Sequence, residues 1–203
     1  MTDTMQQRTA GMAAEVRQSL AGDPPSLPCK YFYDDRGSRL FQEITRLPEY
    51  YQTRTEEALL EPGGAFLLGV DLVKDKRVLE AAYDDAAGVT ARFNRNILRV
   101  MNERLGADFD PEAFDHVAFY DEANAWIEMR LRARRPQRVR IPGAGLDLRL
   151  PAGTEIRTEI SCKYSRASLE TRLPGTGLRL EGWHTDEANR FGLALLVPDG
   201  SRR

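Results

Sequence analysis

Between residues 88 and 164 the hydrophobic period of the chain changes, and no single class of secondary structure accommodates both halves. Val89, Phe93, Ile97 and Met101 recur every four residues, which stacks them on one side of a helix over 88–105. From 115 to 164 the apolar residues alternate instead. Ile127, Met129, Leu131 and Ala133 oppose Glu128, Arg130, Arg132 and Arg134, and "VRIPGAGLDLRLPAGTEIRTEIS" divides into short strands at its Pro and Gly turns. Helix followed by antiparallel meander puts the chain in the mixed α/β or α+β class.

The remaining elements fit that class. An opening helix over 9–21 stops at "AGDPPSLP". A short helix follows with Ser38 as N-cap and Leu40, Phe41, Ile44 and Leu47 on its buried side, ended by Pro48. Thr53 to Glu56 reads as a capping box for a helix carrying Ala58, Leu59 and Leu60. "GGAFLLGVDL" is a continuous apolar run, expected as a strand covered on both faces. Helices at 76–83 and 165–173 and strands at 177–184 and 191–197 complete the order, with no internal repeat.

Composition narrows the function classes. At 203 residues the chain suits one domain, or one domain with an appended lobe. No apolar run approaches the roughly 18 residues of a membrane helix, and the polar start does not read as a secretory signal, so a cytoplasmic protein is expected. Twenty-nine Lys and Arg against 31 Asp and Glu argue against nucleic acid as the main partner. The local exception is "RLRARRPQRVR", read as the solvated face of a strand rather than a polyanion site. Cys29 and Cys162 are expected as reduced thiols, and His116 and His184 lack a second His or Cys at metal-ligand spacing.

Two groups of residues have chemistry suited to a small polar ligand. Glu159 and Ser161 are two apart on one strand and share a face. The carboxylate can accept from an imidazole N–H while the hydroxyl donates to the other ring nitrogen. The alternative is a solvated strand face with Arg157 as ion-pair partner. The stretch 30–56 holds four of the seven tyrosines, with Tyr31 and Tyr33 sharing a side if extended, and Tyr50 and Tyr51 following Pro48. These tyrosines, with Tyr83, read equally as aromatic core anchors or as phenols that donate to a ligand carboxylate and accept from its ammonium.

Three blocks carry a specific resemblance. "LPCKYFYDDRGSRLFQEITRLPEYYQTRTE", "VDLVKDKRVLEAAYDDAAGVTARFNRNILRVMNERLGADFD" and "TEISCKYS" are similar to the histidine-specific methyltransferases of ergothioneine biosynthesis. Those enzymes use S-adenosylmethionine (SAM) to methylate the α-amine of L-histidine three times. Cys29 stands where the family usually shows proline. The resemblance implies that Tyr33, in the catalytic place, and Tyr50 lie near the amino acid backbone, Tyr50 close to the α-amine. It implies Tyr83 at the carboxylate, Met129 in the pocket wall, and Glu159 with Ser161 on the imidazole.

The same comparison exposes a gap. In the family, the helix after "TRTE" leads into the cofactor half of a Rossmann-like fold, with an "ELGSG"-type loop and a "GSTIGN"-type loop whose asparagine binds substrate. Here only Glu57 to Glu61 separate "TRTE" from "PGGAFLLGVDLVKD", whereas one βαβ unit takes roughly 30 residues. No E/D-x-G-x-G occurs in the chain, and neither "PGGAF" nor "PGAGLD" follows a strand and opens a helix as a nucleotide loop must. The expected fold is therefore an incomplete Rossmann-like sheet with a helical and meander substrate lobe. Its expected parts are a helical region at 1–60, a remnant strand at 61–74, the substrate lobe at 75–163 and a helix with a strand pair at 164–203. The expected activity is histidine binding without turnover. A different class, an interaction module, would use the incomplete sheet to form a dimer or to join a complementing cofactor-binding chain.

Overall fold

The computed structural model describes residues 2–50 and 65–199. Within them the chain is mixed α/β. It divides into two compact units, each assembled from three separate stretches.

The first unit comprises Met1–Leu47, Tyr83–Phe119 and Glu128–Ile160. Helices α1 (Thr2–Leu20) and α2 (Asp35–Ile44) precede its central helix, Val89–Leu105, labelled α4 after the shorter α3 (Lys76–Tyr83). On α4 the four residues Val89, Phe93, Ile97 and Met101 are all buried, as their spacing predicts, together with Leu98, Val100 and Leu105. Each such side chain contributes roughly 1.5–3 kcal/mol on leaving water. Against α4 packs a 3₁₀ turn, Cys29–Phe32, whose Phe32 ring lies 4.7 Å from that of Phe93.

The cap of α2 differs from the expected one. Asp34, not Ser38, occupies the N-cap: its Oδ1 accepts from the Gly37 N–H at 2.6 Å and from the Asn96 side-chain amide at 2.7 Å. One carboxylate thus caps α2 and ties it to α4, a long-range bond that Ser38 cannot make from inside the helix. Leu40 and Ile44 are buried as expected, whereas Phe41 and Leu47 are only half-buried.

The meander splits into two sheets. One has the order β2 (Phe114–Asp121), β3 (Trp126–Ala133), β6 (Glu155–Cys162); the other pairs β4 (Gln137–Ile141) antiparallel with β5 (Leu146–Leu150). Ile127, Met129, Leu131 and Ala133 are buried as their alternation requires. Glu128, expected on the polar face, is buried too, because Arg130 covers its carboxylate at 2.7 Å.

The second unit comprises Pro48–Ala82, Tyr120–Ile127 and Ser161–Arg203. Its sheet has the order β1 (Phe66–Asp71), β8 (Phe191–Pro198), β7 (Leu178–Thr185), antiparallel throughout, with Phe66 opposite Leu196 and Asp71 opposite Phe191. The central strand β8 buries Phe191, Leu193, Ala194 and Leu196. Leu169 of the short helix α5 (Arg166–Glu170) packs on Ala194 and Leu196. The apolar run at β1 is not covered on both faces: only Val70 is buried and Phe66 is 56% exposed. Among the described residues β1 is an edge strand paired with β8 alone, which removes the cover its composition implied. The expected capping box at Thr53 and the helix at Ala58–Leu60 lie outside the described residues.

Candidate functional site

In the first unit, the tyrosine segment is turned rather than extended, so Tyr31 and Tyr33 do not share a side. Tyr31 donates its hydroxyl to Glu15 Oε2 of α1 at 2.7 Å, and burial together with that carboxylate raises its pKa. Tyr31 is an anchor between the turn and α1. Tyr33 ends the turn with 52% of its surface exposed and its ring set edge-on to Phe41 and Phe93 at 5.5 and 5.6 Å. Packing against α2 and α4 holds the ring while its surface faces solvent.

Tyr83 is the last residue of α3 and is half-buried. Its carbonyl can only accept, so the Nε2 of His116, 2.8 Å away, must carry the proton. His116 Nδ1 then accepts from the Asn94 amide at 2.8 Å, and the same amide nitrogen donates to the Arg130 carbonyl at 3.1 Å. This tautomer is neutral, and burial lowers the His116 pKa in the same direction. The loop that follows Tyr83 is fixed as well. Asp85 accepts from the Val89 and Thr90 N–H groups at 2.8 and 2.7 Å, closing the start of α4. Burial alone would raise the Asp85 carboxyl, but those backbone donors outweigh it and hold the pKa down. Sequence reasoning weighed His116 only as a metal ligand and missed its role behind Tyr83. Its signal, a lone His opposite a helix end, is not legible without the fold.

Met129 lies on β3 with 2% of its surface exposed, and its carbonyl accepts from the Thr158 hydroxyl at 3.0 Å. Glu159 is half-buried on β6. Cys29 senses it: desolvation and then the Glu159 charge push the Cys29 thiol pKa up.

In the second unit, Tyr50 is half-buried two residues after Pro48. Ser161 is half-buried near the end of β6, and its Oγ accepts from the Lys163 ammonium at 2.9 Å. Lys163 has a fully buried side chain and lies 2.8 Å from Asp71 Oδ2, while Lys74 takes the other oxygen of the same carboxylate. The backbone holds this cluster together: Tyr164 N–H donates to the Asp71 carbonyl at 2.8 Å and Val73 N–H to the Tyr164 carbonyl at 2.9 Å. Neither Asp71 nor the two lysines stood out in the sequence, since their meeting depends on residues far apart in the chain.

The arginine-rich stretch is saturated with acids. Arg130 pairs with Glu128 and Glu155, Arg132 with Glu155, Arg134 with Asp115, Arg135 with Asp110, Arg138 with Asp147 and Arg140 with Asp108, all within 2.9 Å. Apart from the Arg130–Glu128 pair, whose carboxylate is buried, these pairs are at least partly exposed and stabilise little, yet together they neutralise the basic stripe that a polyanion would need. Among the described residues no cluster of His, Cys, Asp and Glu is arranged to hold a metal, and no helix is long and apolar enough to cross a membrane.

A mixed α/β fold with these blocks in order defines a methyltransferase-like protein. The chain belongs to the histidine-specific, SAM-dependent methyltransferase family, whose profile matches residues 12–62 and 57–198. It is 33% identical to the histidine N-alpha-methyltransferase of Mycolicibacterium smegmatis over 300 aligned positions, covering 90% of this chain and 94% of that protein. It is 50% identical to the histidine N-alpha-methyltransferase of Mycobacterium tuberculosis over 298 positions, covering 89% of this chain and 93% of that protein. Both alignments run longer than the 203 residues of the chain, so each carries a long gap opposite it. The two stretches of the family match meet at residues 57–62, the position at which the sequence blocks adjoin.

Proposed function

We propose that this chain binds L-histidine and does not methylate it unaided. The observation that supports the reading is that the family match falls into two stretches, 12–62 and 57–198, which overlap where the sequence blocks adjoin and the cofactor half would begin. In this reading Tyr33 and Tyr50 flank the amino acid backbone, Tyr83 reaches its carboxylate, Met129 forms wall, and Glu159 with Ser161 takes the imidazole. The methylation to which such a site would contribute in a complete enzyme is that of the histidine α-amine, as in ergothioneine biosynthesis.

The described residues do not fit a SAM cradle. Such a cradle needs a glycine-rich turn between a strand and a helix N-terminus with open N–H groups. The turns from β1 to α3 (72–75) and from β6 to α5 (163–165) contain no glycine. The N–H groups of Val89 and Thr90 at the start of α4 are already taken by Asp85. When bound, SAM supplies an electrophilic methyl group, which must be held in line with the amine; without that alignment most of the catalytic advantage is lost.

Calorimetric titration tests the reading. L-histidine is expected to release or absorb heat on binding, with no trimethylhistidine formed when SAM is added. Absence of histidine binding at millimolar concentration, or methylation at a rate typical of an enzyme, overturns it. Within the site, Glu159→Ala is expected to weaken histidine binding about tenfold or more, because a hydrogen bond to a charged group contributes about 1.5–3 kcal/mol. Unchanged affinity in that variant would return Glu159 to the solvated face.

One observation favours a second reading. The exposed Phe66 lies on strand β1, which among the described residues is paired on one side only. An apolar strand edge of this kind invites a second strand, from another copy or from a complementing cofactor-binding chain. A strictly monomeric, well-folded protein in light scattering argues against the first of these.

A further inference from the structure

We propose that His116 is a positioning residue for the carboxylate of the bound ligand: its neutral ring holds the backbone of Tyr83, and acid, by charging the ring, loosens that hold. The inference rests on the reading that puts Tyr83 at the carboxylate, and adds a residue and an acid response to it. All the groups involved lie within the first unit. A helix leaves its last carbonyls without partners inside the helix. That of Tyr83, the last residue of α3, accepts from His116 Nε2–H at 2.8 Å. The connection that follows is closed at its far end by Asp85, which takes the Val89 and Thr90 N–H groups. The phenol of Tyr83 is thus carried by a backbone tied down beyond it, and the imidazole is the tie that titrates nearest neutral pH.

The other ring nitrogen has no place for a proton. His116 Nδ1 lies 2.8 Å from the Asn94 amide nitrogen, which also donates to the Arg130 carbonyl at 3.1 Å. A carbonyl only accepts, so the Asn94 group at that point is the NH2, and a proton on Nδ1 would set donor against donor. Turning the amide over would offer the new N–H the buried Oδ1 of Asn94, which has no hydrogen-bond partner among the described residues. The Arg130 carbonyl would then face an oxygen. A charged ring must therefore move off Asn94, and its Nε2–H moves off the Tyr83 carbonyl with it. Burial, the largest influence, lowers the His116 pKa against the pull of the Tyr83 carbonyl and of Asp84 and Asp85, and Arg95 of α4 lowers it further. On β2 itself Asp115 is paired with Arg134 at 2.7 Å, and on β3 Glu128 is paired with Arg130 at 2.7 Å. The hold is therefore complete above the ordinary histidine value of about 6.5 and is lost as the pH falls through a lower, folded value.

The test is the acid profile of binding. L-histidine is titrated by calorimetry from about pH 8 to about pH 5, across the ordinary histidine value, into the unaltered protein, His116→Ala, His116→Gln and Tyr83→Phe. Each is first shown by circular dichroism to be folded over that range. The ring of the ligand titrates there too, but identically in every arm, so the differences between proteins carry the result. At about pH 8 His116→Ala is expected to bind on the order of tenfold more weakly. His116→Gln, which keeps an N–H for the Tyr83 carbonyl and cannot titrate, is expected to recover most of that loss. Toward acid the unaltered protein is expected to lose about tenfold more affinity than His116→Gln, with the midpoint at which nitrogen NMR of the ring-labelled protein shows His116 gaining a proton on Nδ1. Equal acid profiles for these two proteins, or a neutral His116 that carries its proton on Nδ1, overturn the inference while leaving the histidine site standing. No binding to the unaltered protein at any pH overturns both. If the His116 variants do not fold, Tyr83→Phe decides the matter: the extra acid loss is expected to vanish with the phenol, and its full persistence overturns the proposal.

Discussion

Asparagine at position 71 is expected to lower the stability of the protein by about 3–5 kcal/mol, the usual cost of removing one partner from a buried ion pair. The cost arises because Asp71 answers two ammonium groups at once, Lys163 through Oδ2 at 2.8 Å and Lys74 through Oδ1. An amide keeps one acceptor but turns a donor toward an ammonium. Lys163, with no exposed side-chain surface, loses the carboxylate that lies 2.8 Å from it. Urea denaturation of the variant against the unaltered chain measures the loss, and a change below about 1 kcal/mol would show that the lysines relax into water.

The same cluster gives stability a dependence on pH at both ends. Burial pushes the Asp71 carboxyl up, but Lys163 and Lys74 outweigh it and hold the folded pKa below the ordinary value. Its contribution is therefore present above the ordinary carboxylate pKa, about 3.9, and is lost as acid takes the pH down through the folded value. Lys74 behaves in the opposite sense. Burial is the largest influence on it and lowers its pKa to about 8 despite the attraction of Asp71. Between there and the ordinary lysine value of about 10.4 the unfolded chain binds more protons, so this group makes stability rise with pH. Lys74→Met is expected to remove that alkaline rise.

Alanine at position 37 is the second large effect. A Cβ there would stand 1.6 Å from the Phe32 carbonyl oxygen and 2.7 Å from its carbon, and both are backbone atoms that no rotamer change can clear. Either the 29–32 turn or the start of α2 must move. Movement breaks the two bonds by which Asp34 Oδ1 joins Gly37 N–H and Asn96. Overpacking costs typically 1–3 kcal/mol and more where backbone is displaced, so about 3 kcal/mol or more is expected. In a protein of this size that lowers the melting temperature by on the order of ten degrees. Gly11→Ala is the control. Nothing lies within 4 Å of a Cβ there, and a helix interior gains about 0.5–1 kcal/mol from the change. Equal melting temperatures for the two variants would refute the steric argument.

The parts of the fold that could be read beforehand are those whose signal is local. Val89, Phe93, Ile97 and Met101 announce α4 by period alone, and Ile127 to Ala133 announce β3 in the same way. Misplaced elements turn on partners far away in the chain. Ser38 has the right chemistry for a cap, but Asp34 also bonds to Asn96. "FLLGVD" has the composition of a doubly covered strand, but its place at an edge depends on strand order, which composition does not carry. For the candidate site, a spacing of two drew attention to Glu159 and Ser161, whose role is a proposal. Tyr33, Tyr50, Tyr83 and Met129 drew their roles from resemblance. Lys163 was not legible at all, because its meaning comes from Asp71 and from the backbone bonds that bring 71–73 beside 164.

The pairing of β1 with β8 also bears on how the chain is made. On the ribosome β1 emerges early, carrying Phe66, Leu67, Leu68 and Val70, while the strand opposite it is the last of those described. More than half of the chain must be translated before Phe66 can meet Leu196. Because β8 is also the middle strand, β7 cannot complete the sheet in its absence. Contacts of such long separation close slowly and leave apolar strand exposed meanwhile. The nascent chain is expected to expose β1 to chaperones until β8 has been made, and its yield in a cell-free system to depend on their supply.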